Sequence, residues 1–376
     1  MGLDGDGQAA ARHSSSLEGI QILRAAAALL VVMSHTLLES LAAVAPPKSP
    51  AWLTAFGSVG VDIFFVISGF IMFYVSFPAH RPSVAPASFL LKRLTRIYPF
   101  YWFCVALTLG FWSLGLVPSI QPDRSILIRS VLLFPSNYFV IGVAWTLVYE
   151  MYFYLIFAAT LYFSRPLVSL YGTSITILVL YALSNWAPDP ALRAFLGNPI
   201  AVEFCFGLFL AYLFREWPNF ASAARPLWIP GLALLVAAPM IAPYASTHFP
   251  PSPARVLWGI PAFLIVASFL SLKTNGTPLR RQMVLLGDAS YAIYLTHPLT
   301  LISYAWLLKG SLTNFPQWPV IPFFVVLCAG FGVLIHVFVE RQLIKGVRGL
   351  FRRLFTPRLV GSPLPLERPE ELQTLK

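Results

Sequence analysis

Two ionisable residues share the chain's first long apolar stretch, GIQILRAAAALLVVMSHTLL from Gly19 to Leu38: Arg24 and His35. At about 100° per residue, the interval between them makes roughly three helical turns, so a helix shows both on one face about 16 Å apart. One end holds a fixed cation, the other a side chain that exchanges a proton near neutral pH. Placing either in hydrocarbon costs at least a few kcal/mol, so each must face protein or a wet cavity. Singly, each has a bland reading. An Arg near a helix end snorkels to headgroups, and an intramembrane His hydrogen-bonds across helices. Their common face favours a joint role.

Glu150 lies in AWTLVYEMYFYLIF. Counted along that run it falls in the outer half of the membrane, and His35 does the same on a helix running the other way. The two are therefore expected to meet, the carboxylate fixing the imidazole tautomer and stabilising its cation. In FLLKRLTRIYPFYW, Lys92, Arg93 and Arg96 form a basic cluster, with Arg93 and Arg96 on one helix face. Arg grips phosphate in a bidentate way, so the cluster suits an anionic cytoplasmic ligand. The competing reading is a plain cytoplasmic boundary, with Tyr98, Tyr101 and Trp102 at headgroup depth. In LLGDASYAIYLTHPL, Tyr291, Tyr294 and His297 drift around one side of a helix, either as packed core or as groups facing a substrate. GVDIFFVISGF places Asp62 near the outer face and Ser68-Gly69 near the middle, where close helix packing is favoured. Glu203 and the His336/Glu340 pair are further polar points. No P-loop, Rossmann glycine pattern, G-x-S-x-G elbow or His/Cys zinc spacing occurs, and no metal is expected. Cys104, Cys205 and Cys328 fall in apolar runs and read as small core residues.

The elements that position these residues follow from composition. Of 376 residues, 57% are hydrophobic and 11% charged, with mean hydropathy +0.73, which belongs to a polytopic all-α membrane protein. Ten apolar runs qualify as transmembrane helices: Gly19–Leu38, Val59–Phe77, Ile97–Val117, Ile141–Phe163, Leu167–Leu183, Pro199–Phe214, Leu227–Tyr244, Val256–Leu272, Val284–Leu308 and Val320–Val339. Ile126–Phe134 is too short to span and reads as re-entrant or interfacial. Residues 1–16 read as a disordered cytoplasmic N-terminus, 17–340 as the transmembrane domain and 341–376 as a basic cytoplasmic tail. A signal peptide with Ala25–Met33 as its apolar core and Ala43-Val44-Ala45 as its cleavage site is disfavoured because Ser34, His35 and Glu39 interpose before that site. The +11 net charge is a matter of distribution rather than of nucleic-acid binding. Ten spans with Met1 inside put nineteen Lys and Arg on the cytoplasmic side against six outside. The positive-inside rule then places both termini in the cytoplasm of an inner (plasma) membrane protein.

At these residues the chain resembles the membrane-bound acyltransferase-3 family. Arg24 and His35 look like its R-x10-H signature, and GVDIFFVISGF, KRLTRIYP, WTLVYEMYFY and SYAIYLTHP look like its segments in order, from about Gly19 to Glu340. The strongest likeness is to single-domain exopolysaccharide O-acetyltransferases. One departure shows: the last span ends VERQLIK where many members carry E-x-P, which bears on Glu340. The resemblance implies about ten helices, acetyl-CoA or another acyl-CoA as donor, and a sugar hydroxyl of a secreted or lipid-linked glycan as acceptor. It implies His35 as the catalytic residue, supported by Arg24, Glu150, Arg93 and Arg96. Acyl transfer to an alcohol needs a base on the hydroxyl and a stabiliser for the oxyanion. His35 is then the base, Glu150 its orienter, and Lys92, Arg93 and Arg96 the holders of CoA phosphates. Arg24, Tyr291, Tyr294 and His297 support. Homo-oligomers or polysaccharide-assembly proteins are candidate partners besides the lipid bilayer. The rivals are a transporter or flippase, which would favour internal repeats or paired broken helices not found here, and an acyltransferase for a small hydroxylated metabolite such as a macrolide.

The charge split predicts that single cysteines placed beside Arg93 and Arg281 are labelled only from the cytoplasmic side. Labelling of the Arg93 position from outside the cell would overturn this orientation.

Overall fold

Short polar caps followed by proline set several helix starts. Asp189 accepts from the Leu192 amide at 2.8 Å and Thr277 from the Arg280 amide at 3.4 Å, and each is followed by a proline whose missing N–H is no loss at a first helical position. Asp123 accepts from the Ile126 amide at 2.7 Å, opening a helix that ends at Leu133 in the left-handed conformation, φ 52°.

The computed structural model describes residues 4–43, 51–78, 84–117, 123–241, 256–272, 277–309 and 317–355. These form α1 (Asp4–Ala43), α2 (Ala51–Ser76), α3 (Pro86–Ser113), α4 (Arg124–Leu132), α5 (Trp145–Leu161), α6 (Pro166–Ala182), α7 (Pro190–Leu196), α8 (Val202–Glu216), α9 (Phe220–Ala224), α10 (Trp228–Ile241), α11 (Val256–Phe269), α12 (Pro278–Asp288), α13 (Ser290–Lys309), α14 (Gln317–Ile335) and α15 (Arg341–Phe355). There is no strand among the described residues. A π-helical turn, His336–Glu340, joins α14 to α15. Helix α1 begins at Asp4, so Asp4–Ser16, expected to be disordered, continue the first helix. Val44 and Ala45 of the signal-cleavage motif, Lys48, Arg255 and the tail beyond Phe355 lie outside the described residues.

Among the described residues, five stretches are long and apolar enough to cross a membrane: Glu18–Leu38, Val59–Ser76, Gly142–Leu161, Phe220–Ala238 and Val320–Phe351. The pair α7 and α8, bent by 43°, makes six. The expected ten are not reached, for physical reasons visible in the helices. The Val284–Leu308 run is split at Ala289 between α12 and α13. Helices α6 and α11 have 17 and 14 residues, and α3 has Lys92, Arg93 and Arg96 in its first half. Leu155, Ile175, Val179, Val236, Phe323 and Val326 point outward, an apolar surface suited to lipid.

Close backbone approach holds the bundle. Helix α2 lies between α1 and α8. It crosses α8 at Gly69 and Gly207, where a Cβ on Gly207 would collide with the Val66 carbonyl oxygen. Phe204 of α8 then stacks on Phe153 of α5 at 4.4 Å and meets Phe65 of α2 at 4.6 Å, joining three helices.

Helix α4 does not span. Its last carbonyls accept hydrogen bonds from the middle of α3: Tyr101 Oη to Ser130 at 2.8 Å, Trp102 Nε1 to Val131 at 2.9 Å and Tyr98 Oη to Leu132 at 2.9 Å. These side chains, expected at headgroup depth, satisfy the C-terminal end of a helix. Arg129 of α4 pairs with Asp189 at 2.6 Å, and this guanidinium draws the Asp189 carboxyl down to about 2.

Because Gly207 faces backbone, a larger residue has no flexible neighbour to displace. Gly207→Val is expected to lower the melting temperature of the detergent-solubilised protein, in keeping with overpacking costs of about 1–3 kcal/mol. Gly110→Ala, where a Cβ meets nothing within 4 Å, should leave it unchanged or raised. Equal melting temperatures for Gly207→Val and wild type would contradict this account of the crossing.

Candidate active site

Helices α1, α2, α3, α5 and α13 enclose a cavity of about 210 Å³. Arg24 of α1 and Arg93 and Arg96 of α3 stand on its wall, and Glu150 of α5 is the one carboxylate among its described lining residues. The i, i+3 spacing of Arg93 and Arg96 does bring both to one surface. Glu150 Oε1 accepts from Tyr154 Oη at 2.8 Å, one turn along α5, and from Ser68 Oγ of α2 at 3.2 Å. The Arg93 guanidinium lies 5.5 Å from the Phe89 ring centroid and 6.0 Å from that of Tyr154. Arg93 Nε and Ser290 Oγ are buried without hydrogen-bond partners among the described residues. Lys92 is exposed and does not line the cavity.

Charge on the cavity wall does not balance. Asp288, Glu150 and Glu340 attract Arg24, and Glu150 attracts Arg93, while Arg24 repels Arg96 and Arg96 repels Arg93. Asp288 and Glu340 lie behind the wall, so the wall itself shows three guanidiniums and one carboxylate, a surface that suits an anion.

His35 is not on the cavity wall. Its Nδ1–H donates to the Val31 carbonyl at 2.9 Å, leaving Nε2 with the basic lone pair of a neutral ring. His297 of α13 does the same, Nδ1–H to the Tyr294 carbonyl at 2.7 Å, and its Nε2 is buried without a hydrogen-bond partner among the described residues. The two rings face each other with centroids 5.0 Å apart and planes at 58°. The expected His35–Glu150 hydrogen bond is not formed. Glu150 shares its cavity with Arg24, and His35 lies about 16 Å further along α1. The depth count failed because α5 starts at Trp145, beside a loop packed into the bundle, and Ser68 in the middle of α2 receives the carboxylate.

Tyr294 bridges the two regions. It lines the cavity, and its ring centroid is 5.9 Å from that of His297. Its hydroxyl donates to the Val143 carbonyl at 3.1 Å and accepts from Thr146 Oγ1 at 3.0 Å. Tyr291, also on the wall, donates to the Ile97 carbonyl at 3.0 Å and so ties α13 to α3. Sequence reasoning assigned Ser68 to packing and passed over Tyr154, although its i+4 spacing from Glu150 was the available signal. The His336–Glu340 pair, 2.6 Å apart, is buried behind the cavity rather than on its wall. Among the described residues no group of His, Cys, Asp and Glu is arranged to hold a metal ion.

A family model described as an acyltransferase domain matches residues 17–337. The exopolysaccharide production protein ExoZ of Rhizobium meliloti (strain 1021) is 31% identical over 322 residues, covering 81% of this chain and 94% of that protein. No solved structure matches.

Replacing the lone wall carboxylate tests the charge account without reference to turnover. Glu150→Gln should lower the melting temperature by several degrees, because removing one partner of a buried charge set strands the others. Pyrophosphate should raise the variant's melting temperature more than that of wild type. An unshifted melting temperature, or equal pyrophosphate effects, would contradict it.

Proposed function

The chain belongs to the acyltransferase-3 family and is a membrane acyltransferase, and from this premise we propose that it moves an acyl group, acetyl in the first instance, from cytoplasmic acyl-CoA to a hydroxyl of a secreted or lipid-linked glycan. The observation that carries this reading is the cationic cavity lined by Tyr294, whose ring lies beside the His35–His297 pair. A glycan acceptor is supported by the relative's role in exopolysaccharide production. A small hydroxylated metabolite is the second reading of the acceptor. Transport is set aside because the family's chemistry is acyl transfer.

In this proposal Arg93 and Arg96 hold the diphosphate of the donor. The unpartnered Arg93 Nε and the positive excess of the wall suit that group. Arg24 lines the path from these residues toward the histidines. His35 Nε2 takes the proton from the acceptor hydroxyl as its oxygen attacks the thioester carbonyl, and returns that proton to the departing thiolate. The Val31 carbonyl fixes the tautomer this requires and stabilises the transient imidazolium. Glu150 acts at a distance from the proton transfer: it neutralises part of the guanidinium charge and holds α2 to α5 through Ser68. The ten-span topology with cytoplasmic termini and an inner-membrane location belong to the same proposal, with α3, α6, α11 and α13 supplying the crossings beyond six.

Purified protein in nanodiscs, given labelled acetyl-CoA and unacetylated exopolysaccharide, should transfer label. His35→Ala at normal abundance should lose on the order of 10²–10⁴ in rate, the usual worth of a general base. Arg93→Ala with Arg96→Ala should raise the acetyl-CoA KM more than it lowers kcat, since phosphate contacts serve ground and transition states alike. Near-normal turnover by His35→Ala would remove it as the base. An unchanged KM in the double variant would remove the phosphate assignment.

A further inference from the structure

One more guanidinium stands in electrostatic reach of Arg93: that of Arg348, on α15. This helix, RQLIKGVRGLFRRLF, follows the π-turn and packs against α3. Leu343 and Val347 are half-buried, and Leu343 joins the main core, so one face is fixed to the bundle. Arg348 is exposed. Arg24, Arg96 and Arg93 stand on the cavity wall, and Arg348, on a helix packed against α3, acts electrostatically on Arg93. The sole carboxylate among the described lining residues, Glu150, is felt by Arg24 and Arg93.

A coenzyme A thioester has two separate phosphate features. The diphosphate continues the line of the pantetheine arm, and the ribose 3′-phosphate is set off at the end remote from the thioester. With the thioester directed toward Tyr294 and the arm passing Arg24, the diphosphate falls to Arg93 and Arg96. The 3′-phosphate, set off beyond the diphosphate, is then nearest the next guanidinium, that of Arg348 on the helix packed against α3.

We propose that Arg348 is the recognition residue for the ribose 3′-phosphate, and that α15 makes the enzyme selective for coenzyme A thioesters over pantetheine thioesters lacking that group. This rests on the acyl-CoA reading given above. The chemistry recognised is a phosphate anion, which the phosphodiester of an anionic lipid headgroup at the membrane surface also offers, since α15 is basic on one side and apolar on the other.

The test is a cycle of donor and residue. Steady-state kinetics would be measured with acetyl-CoA and with 3′-dephospho-acetyl-CoA for wild type, Arg348→Gln and Arg348→Lys. Each would be run in nanodiscs of neutral lipid and in nanodiscs containing phosphatidylglycerol. Wild type should show a KM for acetyl-CoA about tenfold or more below that for the dephospho donor, as expected for a charge-assisted phosphate contact. Arg348→Gln should raise the acetyl-CoA KM to the dephospho value and leave the dephospho KM and both kcat values unchanged. Arg348→Lys should recover part of the difference. Retention of the wild-type preference in Arg348→Gln, or an equal loss with both donors, would overturn the assignment. A loss seen only with phosphatidylglycerol and indifferent to the donor would assign Arg348 to lipid instead. If wild type turned over neither donor, the acyl-CoA reading itself would fall, and the assignment with it.

Discussion

Positive charge cannot be left uncompensated inside a membrane bundle, and this protein sets three guanidiniums and one carboxylate on a cavity wall, with Asp288 and Glu340 in reach of Arg24 behind it. Much of the surrounding architecture is what that requires. Ser68 and Tyr154 hydrogen-bond the carboxylate and fix its place. The Phe89 and Tyr154 rings present their faces to Arg93. The glycine crossing of α2 and α8 lets the helix bearing Ser68 sit close to its neighbours, and the Phe153–Phe204 stack keeps α5 in step with α8. What the wall presents to the cavity is three guanidiniums and the unpartnered Arg93 Nε, a surface suited to an anion.

The second consequence is a division of labour along α1. Arg24 belongs to the charged cavity and His35 to an imidazole pair about three turns on. Both histidines spend Nδ1–H on a carbonyl of their own helix, which leaves two basic nitrogens in one neighbourhood. An orphaned buried acceptor is costly unless a donor arrives. A hydroxyl supplied by an acceptor substrate is such a donor. Tyr294, buttressed by Val143 and Thr146, separates this neighbourhood from the cavity while touching both.

Local periodicity carried most of what was legible in the sequence. The shared face of Arg24 and His35, the shared face of Arg93 and Arg96, and the helical character of every apolar run all follow from about 3.6 residues per turn. Relative depth did not. Placing Glu150 by counting from a run's apolar edge assumed that each run is one uninterrupted crossing. The segment between α3 and α5 instead folds back, with α4 capped by Tyr98, Tyr101 and Trp102, and Glu150 comes to lie beside Arg24. The same assumption entered the span count, since a run such as Val284–Leu308 contains a helix break at Ala289. The pairing of His35 with His297 depends on how α1 and α13 pack, and a one-dimensional pattern holds no information on that.

The central claim is that one cavity holds the donor's phosphates at its arginines and delivers the reacting end to the histidine pair. Cryo-electron microscopy of the protein in nanodiscs with coenzyme A bound tests it most directly. The account predicts density for the diphosphate against Arg93 and Arg96, with the pantetheine arm running past Arg24 and its thiol ending near Tyr294, His35 and His297. Coenzyme A bound elsewhere, or a thiol directed away from the histidines, would contradict it.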